Sequence, residues 1–72
     1  MDNIDKVKEL VKEIQNLFFV KKYKVIILET KKAIKKYPNI SIFYNMLGLA
    51  LSSLGRFNEA KVILQKGYSV NS

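Results

Sequence analysis

The 72-residue sequence contains no cysteine and no histidine. The first absence excludes disulfides, and the two together remove the commonest zinc ligands and the usual nucleophile and base pairs of covalent catalysis. Tryptophan is also missing, and proline occurs once. No apolar run approaches the ~20 residues that a membrane-spanning helix needs, and the N-terminal "MDNIDKVKEL" is acidic where a secretory leader would be basic. Glu9, Glu13, Glu29 and Glu59 fall at ordinary helical surface spacings with no partner suited to acid and base work. The chain is therefore expected to be cytoplasmic and to have no enzymatic activity, no catalytic residue, no metal, no cofactor and no membrane association.

Positive charge is abundant: 13 basic residues against 6 acidic ones give a formal net charge of +7. All of the basic residues but Arg56 are lysine, and asparagine and isoleucine are plentiful too. A genome biased toward A and T produces that pattern without selection for any partner, and arginine is the better reader of phosphates and bases. Weak polyanion binding through Lys21, Lys22, Lys24, Lys31, Lys32, Lys35 and Lys36 is the alternative function. A solvated helix face accounts for the same residues without a nucleic-acid partner.

The apolar spacing predicts four helices. Ile4, Val7, Leu10, Val11, Ile14, Leu17 and Phe18 recur at steps of three and four, with Asp2 or Asn3 available as N-cap. A second helix, from about Lys22 to Lys36, sets Tyr23, Ile26, Ile27, Thr30, Ala33, Ile34 and Tyr37 against a lysine face and stops before Pro38. Asn39 or Ser41 is expected to cap a third, which carries Ile42, Phe43, Met46, Leu47, Leu49, Ala50 and Leu54 and ends at Gly55. The fourth has Phe57, Ala60, Ile63, Leu64, Gly67 and Tyr68 on its apolar side. Connections of a few residues favour antiparallel neighbours.

The second pair of helices repeats the first. A shift of about 34 residues lays Tyr23 on Phe57, Ile26 on Ala60, Thr30 on Leu64 and Ala33 on Gly67, and, less clearly, Leu10 on Tyr44, Ile14 on Gly48 and Leu17 on Leu51. That is the period of the tetratricopeptide repeat. With Tyr44 at the aromatic position, the pair Leu47 and Gly48, Gly55 in the turn and then Phe57, Glu59 and Ala60, the second half resembles that family. Leu51, Leu64, Gly67 and Ser72 depart from its usual tyrosine, aromatic, alanine and proline. The first half keeps Tyr23, Ala33 and Pro38 but has Ile14 in place of the small glycine. The resemblance implies an all-α domain spanning 1–72, built as two tandem antiparallel helical hairpins, a four-helix α-solenoid fragment without a capping helix. Its repeats would be about 7–40 and about 41–72.

Several roles follow from the resemblance. Gly48 would let the third helix approach the fourth near Ala60. Function would be a protein-protein interaction in which a peptide or partner helix lies in the groove lined by the first helix of each repeat. The groove candidates are Val11, Gln15, Phe18 and Phe19, then Asn45, Met46, Leu49 and Ser52, with Lys8, Lys12, Ile42 and Ser53 beside them. Val11 and Met46 stand at two positions where a chaperone-type carboxylate clamp needs polar groups, so that version is not expected. Repeat arrays bury each unit's apolar face on the next. With no cap expected, Val62, Ile63, Leu64, Tyr68 and Val70 are candidates for self-association into a homo-oligomer, and the partners expected are proteins or peptides rather than nucleic acid.

Overall fold

The computed structural model describes residues 2–71, with side chains described from Ile4 to Val70. The side chains of Asp2 and Asn3, the expected first caps, lie outside the described residues, as does Ser72. Four α-helices follow one another: α1 (Asp2–Phe19), α2 (Tyr23–Lys36), α3 (Ser41–Ser53) and α4 (Phe57–Asn71). The intervening segments 20–22, 37–40 and 54–56 are short, so each helix packs on the one before it, most closely α4 on α3 and least closely α2 on α1. The fold is all-α, as the apolar periodicity predicts.

α1 and α3 end in the same way, one repeat period apart. The Lys22 amide donates to the Leu17 carbonyl at 2.9 Å and the Lys21 amide to Phe18 at 3.0 Å. Correspondingly, the Arg56 amide donates to Leu51 at 2.9 Å and the Gly55 amide to Ser52 at 2.9 Å. This is the Schellman arrangement, which places the residue after the cap in the left-handed region. Gly55 occupies it at φ 78°, in keeping with its expected role as terminator, and Lys21 occupies the matching position at φ 59°. A side chain there costs roughly 1–2 kcal/mol. The next helices then begin alike, the Ile26 amide donating to Lys22 and the Ala60 amide to Arg56, both at 3.0 Å.

The middle turn is set by other means. Pro38 ends α2, whose last-turn Lys35 and Lys36 complement the helix dipole. Ile40, in extended geometry and without a side-chain bond, precedes α3 as its cap. The sequence points to Asn39 or Ser41 instead, but Ile40 packs against the core and its burial fixes where α3 starts. The Tyr44 hydroxyl donates to the Pro38 carbonyl at 2.7 Å and ties α3 back to the turn.

The core runs through all four helices. Ile14 enters it from α1, Ile26, Ile27 and Ala33 from α2, Phe43, Met46, Leu47, Ala50 and Leu51 from α3, and Ala60 from α4. Burying a large apolar side chain contributes about 1.5–3 kcal/mol, so the central helix supplies most of the driving force. Thr30 is buried among them and remains satisfied because its hydroxyl donates to the Ile26 carbonyl at 2.8 Å.

Two glycines set the approach of α4 to α3. A Cβ on Gly48 would lie 2.6 Å from Leu64 Cγ, and one on Gly67 would lie 2.6 Å from Tyr44 Cβ. Each glycine therefore receives a large side chain from the opposite helix, and the close approach recovers dispersion contacts that offset the helix-propensity cost. The side chain nearest Gly48 is that of Leu64, one turn along α4 from the buried Ala60.

Candidate protein-interaction surface

The groove candidates on the first helix of each hairpin divide by burial. Phe19 is 86% exposed and Leu49 57%, and Gln15 and Asn45 are also exposed, with Ser52 half-buried. Lys8 and Lys12 face water, and the Ser53 hydroxyl turns back to the Leu49 carbonyl at 2.9 Å. Val11 and Phe18 are half-buried against the core, Phe18 edge-on to Tyr23 with ring centroids 6.2 Å apart. Met46 is buried and is a core residue, not a groove residue. The reason is the position of α3: packed against both α2 and α4, it has two inward faces, and a methionine fills the space between them. Asn45 lies beside α4, its Oδ1 3.7 Å from the position of a Gly67 Cβ.

A second apolar surface lies on α4. Leu64 is 40% exposed and Tyr68 79%, and Val62 and Phe57 are exposed as well. Ile63 packs inward against the core and Val70 is half-buried, so these two self-association candidates are less available than the other three. Ser52, Phe57, Ala60, Lys61, Leu64, Gln65 and Tyr68 line most of a groove of about 580 Å³ along the α3–α4 seam. At the start of α4 Arg56 grips Glu59 with two charge-assisted bonds, Nε to Oε2 and Nη2 to Oε1, both at 2.8 Å. The hydrogen bonds from Arg56 hold the Glu59 carboxyl below the usual carboxylate range, and the same bonds raise the guanidinium pKa.

The lysines of the alternative reading stand in solvent. Lys21, Lys22, Lys24, Lys31, Lys32, Lys35 and Lys36 are all exposed; Lys32 sits 3.6 Å from Glu29, and Lys36 lies 5.7 Å from the centre of the Tyr37 ring. Among the described residues no cluster of three or more metal-ligating side chains occurs, and no helix is long and apolar enough to cross a membrane.

Two turns of the same geometry one period apart, with a large side chain seated on a glycine between α3 and α4, describe a helical repeat. Residues 30–62 match the family of the tetratricopeptide repeat, from the last two turns of α2 through α3 into α4. Over that stretch the chain is similar to the tetratricopeptide repeat. Comparison with curated proteins and with solved structures returns no match. The tetratricopeptide repeat is in general a protein-protein interaction unit and typically non-catalytic. Its motif residues serve the scaffold here: Tyr44 and Pro38 tie the middle turn, Leu47 and Ala60 are buried, Gly48 seats Leu64, and Gly55 turns the chain. Phe57 is the exception, two-thirds exposed at the groove.

Sequence reasoning did not find the structural settings of three residues. Lys21 is the left-handed partner of Gly55, and the one-period shift that pairs the two would have found it. Gly67 is as tightly seated as Gly48, a fact that only the helix register discloses. Lys61 lines the groove at a position where the first hairpin has buried Ile27.

Proposed function

We propose that the chain is a non-catalytic interaction module that seats a peptide or partner helix along the first helices of two repeats, about 7–40 and about 41–72. Phe19 and Leu49 provide the apolar contacts, and Gln15 and Ser52 fix the orientation of what lies between them. The observation that carries this reading is the exposure of Phe19 and Leu49, large apolar side chains left in water on the helices that the family uses for recognition. A few such anchors supply most of the affinity of a peptide groove, with polar neighbours giving specificity. The test compares proteins captured by the immobilised chain with those captured by a Phe19→Ser, Leu49→Ser double variant of unchanged helicity. Partners lost from the variant support the groove; identical capture sinks it.

Polyanion binding is the second reading, favoured by seven exposed lysines on and around α2. With no arginine among them, charge attraction is the whole of that interaction, so binding to duplex DNA or heparin should collapse between 50 and about 200 mM salt. Retention at the higher salt with preference for one sequence would make nucleic acid the natural ligand.

A further inference from the structure

The hairpins bring two of the three turns to one edge of the molecule. Residues 20–22, between α1 and α2, and residues 54–56, between α3 and α4, meet there: Lys21, Lys22, Tyr23, Lys24, Val25 and Leu54 line one cleft of about 310 Å³. The start of α1 lies at the opposite edge, where Ile4, Val7 and Lys8 share a cleft with the 37–40 turn. α4 likewise runs away from the 54–56 turn. A further hairpin stacked beside α1 or α4 would lengthen this edge and leave it uncovered, so its exposure does not depend on where the chain stops.

The chemistry of this edge is apolar and cationic together. From Ile14 to Leu28 the chain has three lysines and no acidic residue. Val20 is 55% exposed and Leu28 62%, and Val25 and Leu54 are open to water as well. Val25 lies three residues before Leu28 on α2, and Lys24 and Lys32 lie four residues to either side of Leu28, so the exposed aliphatic groups share a helix face with ammonium groups. Among the described residues none of Lys21, Lys22 and Lys24 forms an ion pair, whereas Arg56, one period after Lys22, is held by Glu59. Lys21 stands at the tip of its turn at φ 59°, where its counterpart Gly55 has no side chain. Strain kept in this way points to a use for the side chain.

We propose that this edge and the adjoining exposed face of α2 dock on an anionic phospholipid bilayer. Val20, Val25 and Leu28 enter the headgroup region. Lys21, Lys22 and Lys24 reach the lipid phosphates and carboxylates around them, their methylene stems lying along the same apolar surface. Duplex DNA or heparin answers the ammonium groups but leaves the aliphatic ones against phosphate and sugar, whereas a bilayer answers both. Lying on a surface needs no spanning helix, and none is present among the described residues. The proposal replaces the expectation of no membrane association, which rested on the lack of a long apolar run. It uses α2 and its preceding turn, not the first helices that carry the peptide groove.

The test is co-sedimentation of the full chain with phosphatidylcholine vesicles, alone or with roughly one-third phosphatidylserine, at about 150 mM salt. The mixed vesicles should bind the chain about tenfold or more tightly than the neutral ones. Lys21→Gly removes one ammonium group while relieving the left-handed strain, so it should weaken binding about fivefold in a protein that unfolds no earlier on heating. Leu28→Ser, an exposed change, should weaken it by a similar factor. Lys66→Gln, which removes one exposed charge from the later part of α4, should leave binding within about twofold, and so should Leu49→Ser in the peptide groove. Equal binding to both vesicles, no binding, or full binding by Lys21→Gly or Leu28→Ser would overturn the proposal. An equal loss in Lys66→Gln would do the same, since net charge and not this edge would then be responsible. Tighter binding to duplex DNA than to the mixed vesicles at the same salt would assign the lysines to nucleic acid instead.

Discussion

The first and second hairpins occupy one repeat frame and fill it with different pairs of side chains. Where the second hairpin sets Gly48 on α3 against Leu64 on α4, the first has Ile14 on α1 and Thr30 on α2 at those positions. Where the second has Tyr44 against Gly67, the first has Leu10 and Ala33. At the first of these pairs bulk moves from the second helix of the hairpin to the first, whereas at the second pair it stays on the first helix with a small residue opposite. What the frame keeps is the volume between two helices, not the identity of either partner, in keeping with cores that tolerate exchange when total volume is kept. The hairpins also differ in setting: α2 lies between α1 and α3, whereas α4 is packed on α3 with its other side in water.

The largest test of that difference uses one residue type at one repeat position. Leu51 is fully buried in the central helix and Leu17 only half-buried in α1. Leu51→Ala should cost about 2–5 kcal/mol, a cavity penalty of the size of the whole stability of so small a core, and should abolish cooperative unfolding in urea. Leu17→Ala should cost about 1 kcal/mol and keep the transition, because the site opens to solvent and refills. Equal losses would show that the two hairpins share the core evenly.

The glycines come next in size. Gly67→Ala sets a new Cβ against the Cβ of Tyr44, an atom fixed to the backbone of α3, so α4 must move away. We expect a net loss of about 1–3 kcal/mol despite the better helix propensity of alanine. Gly48→Ala meets the outer atoms of Leu64, which is partly exposed and free to turn outward. Its net effect should stay within about 1 kcal/mol of zero. Thermal unfolding of the two variants decides the order, and the reverse order would mean that Leu64 is held as firmly as Tyr44.

A smaller effect should have the opposite sign. Lys21 adopts the left-handed geometry that Gly55 adopts one period later. Lys21→Gly relieves that strain while making the unfolded chain more flexible, and should stabilise the protein by about 0.5–1 kcal/mol. A fall in the urea midpoint would show that the Lys21 side chain contributes more than its backbone costs.

The smallest effect concerns the start of α4. Arg56 and Glu59 pair there, whereas the equivalent positions in the first hairpin are Lys22 and Val25, which cannot pair. Because the Arg56 hydrogen bonds favour the charged carboxylate, the Glu59 pKa is depressed. The stabilisation of this helix end is present above the ordinary carboxylate value and is lost as pH falls through the depressed one. NMR titration should find Glu59 below the ordinary range in the natural chain and back within it in Arg56→Ala. No change between the two would remove the pair from the account of this turn.

Much of the fold was legible in the sequence because its determinants are local. Apolar steps of three and four marked every helix, Pro38 and Gly55 marked two of the ends, and the one-period shift marked the repetition. The interaction surface was less legible. Phe19, Leu49, Leu64 and Tyr68 are exposed as a binding surface requires, but Met46 and Ile63 turned inward. Periodicity identifies the apolar side of a helix without saying how many neighbours will share it, and α3, enclosed by two, draws more of its circumference inside than one stripe predicts.

The sequence by itself determined the helices, their order and their period, since these depend on spacing along one chain. Tertiary structure alone decided what Gly48 and Gly67 face, that Lys21 takes a left-handed conformation, and that Lys61 borders an apolar groove. Each of these is a relation between residues on different helices or around a turn, fixed by the register in which two helices lock. A shift of one residue along α4 would leave every helical pattern intact and change the contacts of both glycines and of Lys61.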